Sequence, residues 1–309
     1  MNESIEQGLI IKGVGGFYTV LTEAGETCTC KARGLFRKQA VTPAVGDRVE
    51  FSPPGPGENR QGYLMRILPR KNELIRPAVA NIDRLFIVIA ASRPLPDLLL
   101  VDKLLILCEK YGIEPVLVIN KCDEAEPGAA EALEKQYSPA DYSIHKVSAA
   151  TGEGLGALRS CLENAVICFA GQSAVGKSSL LNALLPGVSL SVGSLSEKTE
   201  RGRHTTRHTE LIPLEGGGAV LDTPGFSLLD TLELEPEELR LLYPELRGAE
   251  ENCRFSGCLH VLEPGCFVKN KLIIKDDREE NPKGIRRERY ERYVRLVSEA
   301  AEHRRHRYD

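Results

Sequence analysis

Up to about residue 70 the apolar positions come in short bursts separated by turn signals. Leu9-Ile10-Ile11 and Phe17-Tyr18-Thr19-Val20-Leu21 flank Gly13-Val14-Gly15-Gly16, and further bursts follow at 26–31, 47–51 and 62–68. Runs of this length, rich in β-branched and aromatic residues and bounded by glycine, predict strands. About five short strands with no helix of length predict a small all-β barrel, of which the OB-fold is the common nucleic-acid-binding form. Pro53-Pro54-Gly55-Pro56-Gly57 reads as a loop within that barrel. Cys28 and Cys30 share one face of a strand, a spacing that favours packing over metal binding. Lys31, Arg33, Arg37 and Lys38 surround Phe36, which suits either a solvated loop or one that touches RNA.

From Asn81 the pattern changes. Leu85-Phe86-Ile87-Val88-Ile89-Ala90-Ala91 is apolar throughout, as a strand covered on both faces must be. Residues 98–111 then repeat apolar positions at helical spacing, 114–119 read as a second buried strand, 129–136 as a helix and 144–147 as a strand. A buried strand at 165–170 precedes a helix at 179–185 that Pro186-Gly187 stops, and 218–221 form one more strand. Strands alternating with helices predict a doubly wound α/β sheet.

Bulk properties narrow the setting. At 309 residues the chain has room for two or three such units. A formal net charge of −4 singles out no partner. No apolar run nears the roughly 20 residues of a membrane helix, and the start Met1-Asn2-Glu3-Ser4-Ile5-Glu6 lacks the basic and apolar regions of a secretion signal. A cytoplasmic chain with no membrane partner is expected, and it is read as a monomer. Nine cysteines, an odd number unevenly spread, argue against a disulfide framework.

The chemistry lies at strand ends. Gly171-Gln172-Ser173-Ala174-Val175-Gly176-Lys177-Ser178, followed by Ser179, fits G-x-x-x-x-G-K-[ST] between a strand and a helix. In that setting backbone N–H groups curl around phosphate oxygens, Lys177 reaches the β- and γ-phosphates, and the Ser178 hydroxyl ligates Mg2+. Asn120-Lys121-Cys122-Asp123 ends another strand and fits N-K-x-D. The Asp123 carboxylate would accept from the guanine N1–H and exocyclic amine; adenine does not offer that pair, so the wrong base leaves the carboxylate unsatisfied. Ser148-Ala149 supplies the short element whose backbone N–H meets guanine O6.

Asp222-Thr223-Pro224-Gly225 fits D-x-x-G, with Asp222 holding the Mg2+ shell and the Gly225 N–H sensing the γ-phosphate. Upstream lies Gly202-Arg203-His204-Thr205-Thr206-Arg207, where a threonine would complete the Mg2+ shell; Thr206 is favoured and Thr205 is the alternative. Joint occurrence makes these motifs far more specific for GTP than any one alone. Their order is unusual, because the base-reading elements precede the phosphate loop. A circular permutation builds the same sheet, since domain termini lie close together.

Cys253, Cys258, His260 and Cys266 follow the spacing C-x4-C-x-H-x5-C on Gly/Pro-containing loops, which fits a closed structural zinc site. Residues 284–307 read as a helix carrying Arg286, Arg287, Arg289, Arg292 and Arg295 and ending in Arg304-Arg305-His306-Arg307. Interleaved Glu288, Glu291, Glu299 and Glu302 suit a salt-bridged solvated helix, with RNA contact as the other reading. The chain thus divides into an OB-fold RNA-binding barrel (1–71), a circularly permuted α/β P-loop GTPase domain (72–231) and a mainly helical zinc-binding domain with a C-terminal helix (232–309).

Taken together, these motifs and their order resemble the circularly permuted ribosome-assembly GTPases of the RsgA family, over nearly the whole chain. The resemblance implies an enzyme that hydrolyses GTP to GDP and phosphate in late maturation of the small ribosomal subunit. It would bind ribosomal RNA, and its hydrolysis would be slow alone and stimulated by that subunit. Ala174 departs from the glycine frequent in the family; it reads as a variable position that leaves phosphate binding intact. Phe226 follows Gly225 where Ras-like enzymes carry a water-orienting glutamine. Chemistry and resemblance both point to His204 as the group that orients water, with Thr206 and Lys177 completing the catalytic set. Arg201, Arg203 and Arg207 are unranked candidates for charge stabilisation. The rival reading is a metal-insertion or metabolic NTPase whose Cys/His cluster delivers metal.

Overall fold

Each of the first five strands buries part of its length, and the five close on one another around those residues. In a computed structural model, which describes residues 5–34, 36, 41–55, 61–74, 78–185, 209–215, 217–222, 234–274 and 284–308, these are β1 (Glu6–Val14), β2 (Phe17–Thr22), β3 (Thr27–Ala32), β4 (Arg48–Ser52) and β5 (Gly62–Ile67). Their order is β1-β2-β3-β5-β4, and β4 pairs back onto β1. Only β3 and β5 run parallel within this ring. Ile10, Val20, Cys30, Val49, Phe51 and Leu64 fill the interior. Cys28 and Cys30 bring their sulfurs to 3.8 Å, with Cys30 fully buried.

A short hairpin, β6 (Glu73–Leu74) and β7 (Val79–Ala80), joins this barrel to the next unit. The joint is polar but satisfied. Asp47 is fully buried and accepts a forked pair from Arg70, Nε at 2.7 Å and Nη2 at 2.8 Å. Asn81 Nδ2 donates to the Gly46 carbonyl at 2.9 Å, and Asn72 both donates to and accepts from the Ile82 backbone. Buried polar groups partnered in this way fix one geometry rather than merely adding contact.

The second unit is a six-stranded sheet ordered β10-β9-β8-β11-β13-β12. Its strands are β8 (Arg84–Ala90), β9 (Glu114–Asn120), β10 (Ser143–Lys146), β11 (Ala165–Ala170), β12 (Glu210–Pro213) and β13 (Gly218–Asp222). The first five in that order are parallel, and β12 alone runs antiparallel. Helices α1 (Leu98–Tyr111), α2 (Ala129–Tyr137), α3 (Leu155–Ser160) and α4 (Lys177–Leu184) cover the two faces. Leu85, Ile87 and Ile89 face Leu104 and Leu105 on one side. Phe86 and Val88 face Leu158 and Leu180 on the other. This two-sided burial explains the unbroken apolar run of the sequence. Strand β12 also touches β1, with Lys12 opposite Glu210 and their side chains 2.6 Å apart, so barrel and α/β sheet form one continuous sheet.

The C-terminal unit holds α5 (Pro236–Leu239), several short helical turns, the two-strand pair β14 (Ile273–Ile274) and β15 (Ile285–Arg286), and the long α6 (Arg287–Tyr308). The arginines of α6 divide between two roles. Arg289 is buried, donates to Asp102 of α1 at 2.8 Å, and has Glu245 2.7 Å from its Nε, close in charge but off-line for a hydrogen bond. The rings of Tyr137 and Tyr243 lie 4.9 Å from its guanidinium. Arg292 reaches the other Asp102 oxygen at 2.5 Å. Arg295 and Arg304, by contrast, make exposed pairs with Glu299 and Glu237. Two of the helix's arginines are therefore structural, which a salt-bridged solvated helix does not anticipate.

Removing one partner from a buried ion cluster leaves uncompensated charge. Asp102→Ala is expected to lower unfolding free energy by about 3–5 kcal/mol, whereas Arg304→Ala should change it by less than about 1 kcal/mol. Chemical denaturation followed on the C-terminal unit checks the contrast; equal effects would show that the cluster is not the anchor.

Candidate functional site

The carboxyl ends of β8, β9, β10, β11 and β13 all face one edge of the parallel sheet, where open α/β sheets place their ligand cleft. The loop after β11 begins at Gly171, whose φ is +135°, and a Cβ there would lie 2.3 Å from the Val88 carbonyl oxygen. Only glycine lets the chain leave β11 so close to β8. Gly176 (φ +94°) ends the loop, and a Cβ would lie 2.5 Å from Asn120 Nδ2. Helix α4 starts at Lys177, two residues earlier than the apolar pattern alone places it, so Lys177 and Ser178 sit in its first turn. Ser178 is nearly buried.

Lys177 folds back over the loop, its ammonium 2.8 Å from the Gly171 carbonyl and 2.7 Å from that of Gln172. Burial pushes its pKa down to about 8. A phosphate placed in the loop would restore the favoured charge. Ala174 has φ +64°. A left-handed conformation costs a non-glycine residue about 1–2 kcal/mol, so the position is conformationally demanding rather than free to vary.

Asn120 ties the motifs together. Fully buried at the end of β9, it donates from Nδ2 to the Val175 carbonyl of the phosphate loop (3.0 Å) and accepts at Oδ1 from the Ala149 N–H (3.1 Å). Lys121, itself left-handed at φ +62°, donates to the Arg93 carbonyl at 2.7 Å. Cys122 donates its thiol to the Ile119 carbonyl, and Asp123 stands exposed at the start of the next turn. Buried Ser148 accepts from Thr151 N–H at its hydroxyl and so shapes the loop that carries Ala149. Asp222 ends β13 opposite Glu210. His204, Thr205, Thr206, Thr223, Pro224 and Gly225 lie outside the described residues, as do Arg201, Arg203, Arg207 and Phe226.

The residues that position these groups escaped the sequence reading. Asp97 caps α1 by accepting from Leu100 N–H, and its own N–H donates to the Gln172 side chain (3.2 Å). An Asp just before an apolar-periodic run is a readable helix start; its tie to the phosphate loop is tertiary and has no sequence signal.

In the C-terminal unit Cys253, Cys258, His260 and Cys266 bring one donor atom each to within 4.8 Å of one another. His260 Nδ1 lies 3.6 Å from Cys253 Sγ and 3.4 Å from Cys266 Sγ. A tetrahedral ion with bonds of about 2.0–2.3 Å spaces its donors about 3.5–3.8 Å apart, so the residues fit. Burial above all pushes the Cys258 thiol up to about 12, and burial lowers His260. A dication would invert the thiol preference, giving thiolates beside an imidazole that burial already keeps neutral. Phe267 N–H donates to Cys253 Sγ at 3.2 Å, ready to stabilise a thiolate.

Residues 67–232 match the RsgA GTPase family and residues 7–64 match the RsgA N-terminal domain. Among curated relatives, the small ribosomal subunit biogenesis GTPase RsgA of Caldanaerobacter subterraneus subsp. tengcongensis is 47% identical over 262 residues, 85% of this chain and 87% of that one. The protein of the same name from Geobacillus thermodenitrificans is 46% identical over 273 residues, 87% and 92% of the two chains. The crystal structure of YjeQ from Thermotoga maritima superposes with a TM-score of 0.81 at 38% identity, covering 96% of this chain and 99% of that one. YloQ, described as a circularly permuted GTPase, gives 0.78 at 35%, covering 97% and 96%.

Two outcomes test the phosphate loop. Since a bound phosphate holds the Lys177 proton, the bound form has the higher pKa, and affinity is level below about pH 8 and falls as pH rises beyond it, by at most about tenfold per unit. Equilibrium titration of a nucleoside triphosphate between about pH 7 and pH 9 reads this; an affinity that rises with pH contradicts it. Gly176→Ala would strain the loop by about 1–2 kcal/mol and displace Asn120, so the same titration should show a loss of about tenfold or more.

Proposed function

The chain belongs to the RsgA GTPase family, and from that footing we propose that it hydrolyses GTP to GDP and phosphate in maturation of the small ribosomal subunit, stimulated by that subunit and acting through ribosomal RNA. The observation that carries this reading is the Asn120 side chain, which holds the phosphate loop and the Ser148-Ala149 element in one cleft. A phosphate-binding loop and a guanine-reading turn joined by one amide suit a guanine nucleotide better than any metabolite lacking either end.

Within that reading, Asp123 takes the guanine edge, the Ala149 N–H meets O6, and the backbone from Gly171 to Ser179 cradles the phosphates. Lys177 leaves its loop carbonyls for the β- and γ-phosphate oxygens and there stabilises charge as it develops. Mg2+ would neutralise phosphate charge when bound, held by Ser178 and Thr206 (or Thr205) with Asp222 in its shell. His204 orients the attacking water, a role that Phe226 leaves open at the position after Gly225. The three-cysteine, one-histidine cluster holds a structural zinc ion, since four protein donors leave no open position. We divide the chain into an RNA-binding barrel at 1–71, the nucleotide domain at 72–231 and the zinc domain at 232–309, and place the protein in the cytoplasm.

GTP turnover is measured with and without purified small subunits, with ATP as the control. Acceleration of GTP but not ATP hydrolysis is the expected result, and no acceleration favours a metabolic NTPase. His204→Ala should keep GTP affinity within about twofold yet lose the stimulated rate by about 100-fold; normal stimulation would remove His204 from the reaction. Asp123→Asn replaces an acceptor by a donor, so preference should move from GTP to xanthosine triphosphate, whose base carries a carbonyl where guanine carries its amine.

A further inference from the structure

His260 is held in an unfavourable backbone conformation, with φ +61°. A left-handed conformation is unfavourable for a histidine and persists only where its surroundings enforce it. The enforcement is visible on both sides of the residue. The Glu263 carboxylate accepts from the N–H of Leu259, just before His260, at 2.7 Å. Its other oxygen accepts from Val261 and Leu262, just after, both at 3.0 Å. The carbonyl of His260 itself accepts from the Tyr290 hydroxyl of α6 at 2.7 Å, and that of Leu259 from Tyr293 at 2.6 Å. Three N–H groups and two carbonyls around the histidine are thus tied to Glu263 or to α6.

The imidazole ring has no such support. Nδ1 faces the cysteine sulfurs, while Nε2 is buried and finds no hydrogen-bond partner among the described residues. Metal-binding histidines are ordinarily oriented through that second ring nitrogen, which donates to a carboxylate or carbonyl. Here the carboxylate of the loop is spent on backbone instead. With Nε2 unanchored, the direction of Nδ1 follows from where the backbone puts Cβ.

We propose that Glu263, seconded by Tyr290, is the positioning residue of the metal site: it sets the histidine ligand by clamping the main chain from 259 to 262 rather than by touching the ring. Glu263 is not among the four residues whose donor atoms converge, and both of its oxygens are already taken by backbone N–H groups. The inference rests on the zinc reading given above, and the two can fail separately.

The test is zinc affinity of the full-length chain, by competition with a chromophoric chelator, for the unaltered protein, Glu263→Gln, Glu263→Ala and Tyr290→Phe. Loss of an outer-shell partner costs about 10–100-fold in metal affinity. Glu263→Ala should fall in that range, and Glu263→Gln, which keeps one acceptor oxygen, should fall less. Tyr290→Phe, which removes only a hydroxyl, should also weaken binding and guards against a general folding defect. Cobalt(II) supplies a second readout. Visible bands of tetrahedral three-sulfur, one-nitrogen ligation in the unaltered protein should shift in Glu263→Ala as His260 leaves the ion, with unchanged far-ultraviolet circular dichroism. Unaltered zinc affinity and cobalt bands in both Glu263 variants would overturn the clamp. Absence of tight zinc binding in the unaltered protein would overturn the metal reading beneath it.

Discussion

One amide side chain decides whether this molecule has a site at all. Asn120 holds the phosphate loop through the Val175 carbonyl and the loop after β10 through the Ala149 N–H. Those partners are 55 and 29 residues away in sequence. Nothing in the bonding depends on which segment the ribosome synthesises first. A cleft assembled from strand ends and cross-linked by a buried amide therefore survives circular permutation, because only the parallel strands and their spatial order enter its geometry. Gly176 follows from the same constraint: the amide occupies the space any side chain there would need.

What permutation changes is the neighbourhood. Strand β12 leads from the segment around His204, pairs with β13 opposite Asp222, and lies against β1 of the barrel through Lys12 and Glu210. The Lys12–Glu210 pair is about two-fifths exposed and is worth little as an isolated salt bridge. The rigidity of the joint comes instead from the buried forks and amides of Asp47, Arg70, Asn72 and Asn81. The barrel is thus fixed to the sheet at one place and merely touches it at the other.

Much of this was legible in the chain. Unbroken apolar runs gave the covered parallel strands, short apolar bursts between turn signals gave the barrel, and the spacing of Cys253, Cys258, His260 and Cys266 brought together residues whose donor atoms do converge. Motif spacing works because it encodes local backbone geometry, which glycine, proline and helix starts advertise. Illegible were the contacts made at a distance. Arg289 looked like its neighbours on a charged helix, yet it is buried among Asp102, Glu245 and three tyrosines because of where α6 packs. Ala174 looked like a tolerated replacement until its φ placed it in the left-handed region. Period and composition carry no term for either.

Helix α6 works on two fronts at once. Arg289 and Arg292, three residues apart, turn to α1; Tyr290 and Tyr293, one step further round, turn to the metal loop. Helix α1 in turn is capped by Asp97, whose N–H meets Gln172 of the phosphate loop. These contacts connect the metal loop and the nucleotide cleft through two helices and one buried ion cluster. Among the described residues, a displacement of the Cys/His loop can thus pass through α6 and α1 to the phosphate loop. The strength of that connection rests on Asp102, the single acceptor that both arginines share.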